Sequence, residues 1–132
     1  MTMLLIALGG GLGAVTRFVV DAAVARRNPF RVPLGTMLIN VTGSLVLGVV
    51  TGLIAAGPAG STAVTVRAVL GTGFCGGYTT FSTASVETVR LSLAEGRSTG
   101  VAYAAVTLLG SLLAAAAGLG LAHAFLVPNV GA

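Results

Sequence analysis

The chain has 132 residues, of which 55% are hydrophobic and 8% are charged. A soluble domain has about 25% charged residues, so this chain carries too little charge to cover a globule in water. These figures exclude a soluble enzyme, a disordered tail and a disulfide-stabilised scaffold, and they favour a small integral membrane protein with a single domain over residues 1–132. The net charge of +4 does not indicate a nucleic-acid partner, because the basic residues are not clustered among aromatic ones.

Four apolar stretches follow one another along the chain, each long enough to cross a bilayer, which takes about 20 residues. We therefore predict an all-α fold with four transmembrane helices at about 3–25, 34–56, 64–89 and 99–126. The loops between them are short and contain Gly, Pro and charged residues. They leave no room for a catalytic domain outside the membrane, so the sequence predicts that the protein is not an enzyme.

The first two predicted spans carry polar side chains at membrane depth, where such groups usually mark a pathway or an interface. Arg17 and Asp21 in the first span are four residues apart, a spacing at which they can form an ion pair on one helix face. Asn40 in the second span has a carbonyl and two N–H groups that all need hydrogen-bond partners. We therefore expect Arg17 and Asp21 to neutralise each other and Asn40 to mark a functional position.

The third predicted span has a sequence that does not favour a continuous helix. It contains the paired residues Gly76–Gly77 and Thr79–Thr80, which are poor helix formers. We predict a broken helix, whose free carbonyl groups can bind a cation and whose free N–H groups can bind an anion. Glu87, near the end of this span, is interpreted either as a cap that reaches the membrane surface or as an acceptor for the nearby hydroxyls.

Three hydroxyl-bearing residues in the fourth span are spaced so that they lie on one helix face. They are Tyr103, Thr107 and Ser111, at positions i, i+4 and i+8. Together with Asn40 they supply hydrogen-bond donors, and no span carries the ring of carboxylates that cation channels use. The residues by themselves therefore predict an anion pathway.

Three motifs in separate spans identify a family resemblance. They are GGGLGA at 9–14 leading to Arg17, GT at 35–36 followed by Asn40, and GFCGGYTTFST at 73–83. With these motifs the chain resembles, over essentially its whole length, the Fluc (CrcB) fluoride channels, which are four-span proteins that export fluoride from bacteria and archaea. The resemblance implies a fluoride-specific channel in the cell membrane that lowers cytoplasmic fluoride by passive efflux and is assembled as an antiparallel dimer.

The resemblance also implies roles for individual residues. A structural sodium ion, which is not transported, would be bound at the dimer interface by the backbone carbonyls of Gly76 and Thr79. Arg17 would lie near the aqueous vestibule. The anion pathway would comprise Asn40, Phe81, Ser82, Thr83, Glu87, Tyr103, Thr107 and Ser111.

One position departs from the family pattern TTFSTF, because this chain has Ala84 in place of the second Phe.

The Arg residues are also unevenly placed. Five lie at the first and third loops, whereas Arg67 alone lies on the other side, near the start of the third span. Since Arg is retained on the cytoplasmic side, both termini are predicted to lie outside. A chain with one orientation would pair with an oppositely oriented paralogue, so a heterodimer stands beside a homodimer as an alternative.

Two other functions stay open at this point. A non-conducting structural subunit of a heterodimeric fluoride channel would keep the fold and would account for Ala84. A small multidrug-type proton-coupled transporter also has four spans, but it would carry a Glu in the first span, where this chain has only Asp21 near the end.

Overall fold

The computed structural model describes residues 1–56 and 60–126, and every regular element in these residues is helical. The elements in chain order are α1 (Thr2–Ala25), α2 (Leu34–Ala56), α3 (Ser61–Arg67), a π-helical segment (Ala68–Cys75), the single turn α4 (Gly76–Tyr78), α5 (Phe81–Ala94), α6 (Arg97–Leu121) and a second π-helical segment (Ala122–Leu126). The all-α fold class is thereby confirmed. Most of the predicted second loop, at 57–61, lies outside the described residues.

Within residues 1–56 and 60–126, three helices are long and apolar enough to cross a membrane: Thr2–Ala25, Leu34–Ala55 and Arg97–Ala124. These helices coincide with the first, second and fourth predicted spans. The third predicted span, 64–89, is divided among α3, the first π-helical segment, α4 and α5. Its glycine and threonine pairs have low helix propensity, which is consistent with this division.

Helices α2 and α6 pack closely because glycine stands where they cross. A Cβ atom at Gly48 would lie 3.1 Å from the Cα atom of Ala115, and one at Gly118 would lie 3.1 Å from the Cα atom of Gly48. Small residues at helix crossings allow this approach of two backbones in lipid. The crossing brings the polar face of α2 next to the hydroxyl row of α6.

Helix α1 packs against the π-helical segment and α4, again through glycines. A Cβ atom at Gly73 would lie 2.8 Å from the carbonyl oxygen of Ile6, and one at Gly77 would lie 2.9 Å from the Cα atom of Gly10. No larger side chain fits at these positions unless the backbones move apart. The first half of the third predicted span is thus held directly on α1.

The large apolar side chains of the bundle mostly point outward. Leu12, Leu93 and Leu113 are exposed, whereas the largest fully buried side chains are only Ile39 and Cys75. A water-soluble bundle would bury its large apolar residues, but helices surrounded by lipid have no reason to do so. The surface therefore fits a protein that lies in a membrane.

The first and third loops lie at the same end of the bundle. Arg31 Nη1 is 3.0 Å from Glu95 Oε1, and this ion pair joins the loop after α1 to the turn between α5 and α6. Gly96 in that turn has a φ of 98°, a left-handed conformation that favours glycine, and it begins α6. The Arg-rich loops are therefore brought together, as the predicted topology requires.

Candidate functional site

Two extended residues separate α4 from α5, and we refer to Thr79 and Thr80 as the junction. Thr79 has φ and ψ of −77° and 160°, and Thr80 has −152° and 114°. The Thr80 side chain begins α5 as its N-cap, because Oγ1 accepts a 3.2 Å hydrogen bond from the amide of Thr83. The junction thus has two extended residues between α4 and α5.

Asn40 of α2 binds the main chain of the junction with both ends of its carboxamide. Its Oδ1 accepts a 2.7 Å hydrogen bond from the Thr80 amide, and its Nδ2 donates a 2.9 Å hydrogen bond to the Thr80 carbonyl. Asn40 and Thr80 are only 8% and 7% exposed. The polar groups of this buried residue therefore find their partners in the backbone of another segment.

Arg17 of α1 approaches the junction from another side. Its Nη1 donates a 3.3 Å hydrogen bond to the carbonyl oxygen of Thr79. The predicted ion pair between Arg17 and Asp21 is wrong, since no such pair forms within the described residues and Asp21 instead lies against Gly35 of α2. Because Thr79 is extended, its carbonyl is free to accept from Arg17, whereas the carbonyls within α1 are already bonded to helix amides.

Glycine also lets the junction approach α2. A Cβ atom at Gly43 would lie 3.0 Å from Tyr78 Cδ1 and would collide with Thr79 Cγ2. One residue earlier, Thr42 Oγ1 is 3.0 Å from the Tyr78 hydroxyl. The surface of α2 around Asn40 is therefore shaped to receive the end of α4 and the junction.

A groove of about 530 Å³ lies beside the junction, between α2, α5 and α6. Its polar lining includes Asn40, Thr80, Thr107 and Ser111, and its apolar walls include Phe81 and Ala84. The fold thus brings four of the predicted anion-pathway residues, Asn40, Phe81, Thr107 and Ser111, to one concave surface. No Asp or Glu lines this groove in the described part of the chain.

Two hydroxyls of the α6 row are buried without a partner. Tyr103 and Thr107 are 4% and 5% exposed, and neither hydroxyl oxygen has a hydrogen-bond partner among the described residues. The Tyr103 phenol lies next to the hydroxyls of Thr36, which is also buried, and of Thr107, but no hydrogen bond of good geometry joins it to either one. Buried hydroxyls without partners are rare in folded proteins, so these oxygens indicate a place for a ligand or an ordered water.

A comparison with known families decides which group of proteins the chain belongs to. A family model described as CrcB-like protein, Camphor Resistance (CrcB), matches residues 4–119. The chain belongs to the CrcB family. This confirms the resemblance inferred from the three motifs of the sequence.

Several relatives within the CrcB family have names that state a function. A protein of Cutibacterium acnes named fluoride-specific ion channel FluC 2 is 49% identical over 121 residues, which cover 92% of this chain and 97% of that protein. Fluoride-specific ion channel FluC 1 of Leifsonia xyli is 56% identical over 92 residues, covering 70% of this chain and 65% of that protein. FluC 1 of Streptomyces avermitilis is 45% identical, covering 94% and 92% of the two chains. These relatives are named as ion channels and not as enzymes.

The remaining predicted pathway residues of this CrcB chain lie on α5. Phe81 is 85% exposed, and Ser82 and Thr83 after it are also exposed. Glu87 accepts a 3.2 Å hydrogen bond from Arg90 Nη1, so within the described residues its carboxylate pairs with a cation and not with the hydroxyl row. Phe81, Ser82 and Thr83 are therefore not covered by any other described part of the chain.

Some groove residues were not selected from the sequence. Ser44, Ser85 and Thr88 line the groove as well. Ser44 is four residues after Asn40, a spacing that would have placed it on the same helix face. Ser85 and Thr88 donate to the carbonyls of Phe81 and Ala84 in their own helix, so their donors are already used.

Proposed function

We propose that this chain is a fluoride-specific ion channel that lowers cytoplasmic fluoride by passive efflux across the cell membrane. The observation that carries the proposal is the match of the CrcB family model to residues 4–119, together with relatives named fluoride-specific ion channels that are up to 56% identical. The segments before and after the junction would together cross the membrane as a broken third helix.

The groups around the groove suit a small anion better than a cation. Asn40 and Ser111 bring N–H and O–H groups to the groove, and the lining contains no carboxylate among the described residues. A small anion that leaves water needs several donors to replace its hydration shell. The buried hydroxyls of Tyr103 and Thr107 have no hydrogen-bond partner in the part of the chain that the structure describes, so they can serve this purpose. They support a pathway that follows the hydroxyl row of α6.

We also propose that a structural sodium ion is bound by the backbone carbonyls of Gly76 and Thr79. The Thr80 amide, which would bond to the Gly76 carbonyl in a continuous helix, donates to Asn40 instead. Gly76 is exposed, and the carbonyl of the extended residue Thr79 accepts a 3.3 Å hydrogen bond from Arg17 Nη1 but has a second lone pair for an ion. Carbonyls of unwound helices are suitable ligands for Na⁺ in membrane proteins. Because two carbonyls are too few for this ion, a second subunit would supply the others.

The position of Phe81 supports an antiparallel dimer. The Phe81 ring is exposed at the start of α5, and it lies at the edge of an apolar-walled groove. A second subunit in the opposite orientation would cover both, with each Phe81 ring placed against the groove of its partner. The ring edges carry a partial positive charge and can face an anion.

The partner is proposed to be either a second copy or a paralogue. Ala84 lines the groove where a paralogue with Phe would supply a second ring, so a heterodimer could restore one pore. The ion pair between Arg31 and Glu95 holds the Arg-rich loops at one end, which favours a single orientation with both termini outside. Relatives in Cutibacterium acnes and Rhodococcus jostii are both numbered FluC 2, which indicates more than one such protein in those organisms.

The second candidate function, a non-conducting structural subunit, is favoured by one observation. Ala84 leaves the groove without the second ring of the family pattern, and a subunit that does not conduct would account for this loss. The third candidate, a multidrug-type transporter, needs a membrane-embedded acid in the first span. Asp21 is exposed near the end of α1 and lies against Gly35, which does not suit that role.

Fluoride efflux from liposomes tests these functions directly. The purified chain, alone or together with a paralogue of opposite orientation, is expected to release fluoride but not chloride. Phe81→Ile is expected to abolish the efflux. Phe30→Ile is the matched control, because Phe30 is also exposed but lies in the first loop and does not line the groove.

The outcomes separate the candidates. Efflux from the chain alone would support a homodimeric channel, and efflux only with the paralogue would support the heterodimer. If Phe81→Ile leaves the heterodimer fully active, the structural-subunit function is favoured for this chain. The absence of fluoride-selective efflux in every pairing would contradict the channel proposal.

A further inference from the structure

We propose that Asn40 is a positioning residue that holds the junction in its extended conformation, in addition to any bond it makes to the transported ion. The two hydrogen bonds between the Asn40 carboxamide and the main chain of Thr80, at 2.7 Å and 2.9 Å, are here named the Asn40 bridge. The functional part of this inference rests on the proposed fluoride channel. The structural part concerns only the conformation of Thr80.

The orientation of the Asn40 amide is determined by its partner. The Thr80 N–H can only donate and the Thr80 carbonyl can only accept, so Oδ1 must face the first and Nδ2 the second. One N–H of Nδ2 is left over and points to no partner in the bridge. Because only a carboxamide of this length supplies an acceptor and a donor side by side, Asp or Ser at position 40 would make one of the two bonds at most.

The Asn40 bridge binds the Thr80 amide, the group that decides whether the helix continues through the junction. In a continuous helix the Thr80 amide would bond to the carbonyl of Gly76, four residues earlier. Asn40 accepts from that amide instead, so the bridge competes with continuation of the helix. Thr80 also caps α5 through its bond from the Thr83 amide. Loss of the bridge would therefore disturb the start of α5 and with it the direction of the Phe81 side chain.

Thr42, two residues after Asn40 on α2, provides a control for the Asn40 variants. Thr42 also contacts this region, but it bonds to the side-chain hydroxyl of Tyr78 and not to the main chain of the junction. Removing its hydroxyl with Thr42→Val leaves the Asn40 bridge untouched. A general loosening of α2 against the third segment would affect both positions, whereas the proposed positioning is specific to Asn40.

The test combines NMR spectroscopy with fluoride efflux on the full chain. Protein with ¹³C- and ¹⁵N-labelled threonine is prepared as wild type, Asn40→Ala, Asn40→Ser and Thr42→Val. The Thr80 Cα and Cβ resonances are expected to be in the extended range in wild type and in Thr42→Val. They are expected to leave that range in Asn40→Ala and Asn40→Ser, and both variants are expected to lose fluoride efflux. Ser keeps a donor for an ion but cannot form the bridge.

The outcomes distinguish positioning from direct ion binding. Lost efflux with unchanged Thr80 resonances would overturn the proposal and leave Asn40 as an ion ligand only. Shifted resonances with normal efflux would equally overturn it. If the wild-type chain shows no efflux in any pairing, the proposed function fails, while the resonances still decide whether the bridge sets the conformation of Thr80. If Asn40→Ala does not fold, Asn40→Asp is used as the milder variant. The Asp carboxylate can accept from the Thr80 amide but cannot donate to the Thr80 carbonyl, so the carbonyl resonance is expected to shift and the amide resonance is not. Equal shifts of the two resonances would contradict the bridge.

Discussion

Replacing Tyr103 by Phe removes one oxygen atom from the hydroxyl row, and we expect this change to slow fluoride efflux without weakening the fold. Tyr103 is 4% exposed, and its hydroxyl has no hydrogen-bond partner among the described residues. Burial of a hydroxyl without a partner costs about 1–3 kcal/mol of desolvation. Tyr103→Phe is therefore expected to leave the free energy of unfolding unchanged or to raise it by up to that amount.

The effect on efflux follows from the strength of one hydrogen bond to an ion. A hydrogen bond to a charged group contributes about 1.5–3 kcal/mol. Since about 1.4 kcal/mol corresponds to a factor of ten in rate, losing this bond at the most demanding point of the pathway would slow efflux about tenfold or more. The same variant should thus be at least as stable as wild type and clearly slower.

Tyr78→Phe is the matched control, because Tyr78 is the other tyrosine of the chain and its hydroxyl is bonded to Thr42 Oγ1 at 3.0 Å. Thr42 also donates to the Leu38 carbonyl at 2.7 Å, so the control variant loses one bond without leaving a donor unpaired. It is expected to lose about 0.5–1.5 kcal/mol of stability.

Both variants are measured by thermal unfolding in detergent and by a fluoride electrode on proteoliposomes. If Tyr103→Phe unfolds at a lower temperature than Tyr78→Phe, the Tyr103 hydroxyl has a structural partner and the argument from an unpartnered group fails. If Tyr103→Phe conducts at the wild-type rate, the hydroxyl row does not contribute to the pathway at this position.

Two further predictions concern the fold. Gly118→Ala is expected to lower the free energy of unfolding by about 1–3 kcal/mol, because the new Cβ atom would press on the backbone of α2. Gly120→Ala is the control: its Cβ atom would meet nothing within 4 Å, so the change should be neutral or stabilising by up to about 1 kcal/mol. Thermal unfolding of the two variants checks this, and equal losses of stability would show that the α2–α6 crossing tolerates a methyl group. Arg31→Ala is expected to cost less than about 1 kcal/mol, since the Arg31 side chain is 84% exposed in its pair with Glu95. Unfolding at low and high salt tests it, and a larger loss that persists in high salt would contradict a surface ion pair.

The fold could be predicted from the sequence to the extent that length and hydrophobicity determine it. Apolar stretches of membrane length predicted the three long helices, because few other structures satisfy their backbone groups in lipid. The low helix propensity of Gly76–Gly77 and Thr79–Thr80 led to the prediction that the third segment departs from a regular helix. It did not indicate which residues become extended, since that depends on partners in α1 and α2. The π-helical segment Ala68–Cys75 was not predicted, because no feature of its composition distinguishes it from an α-helix.

The candidate site was predicted by residue type but not by partner. Spacing within one helix suggested that Arg17 would pair with Asp21, whereas the structure directs Arg17 to a backbone carbonyl of a distant segment. Asn40 was selected because an amide at membrane depth needs partners, yet its partner is the main chain of Thr80, which carries no signal in the sequence. Sequence patterns within one helix cannot predict hydrogen bonds from a side chain to the backbone of a distant segment, such as those of Arg17 and Asn40.

The polar groups near the groove fall into two sets, according to whether they have hydrogen-bond partners among the described residues. Arg17 and Asn40 have bonds to the main chain of Thr79 and Thr80, so they stabilise backbone groups that an extended segment would otherwise leave unpaired in the membrane. Tyr103 and Thr107 have no such bonds and remain buried. Because an unpaired donor at this depth is costly, these hydroxyls suit an ordered water or an anion that replaces it. We therefore propose that the transported anion passes on the α6 side of the groove, while the Asn40 bridge on the α2 side holds the junction.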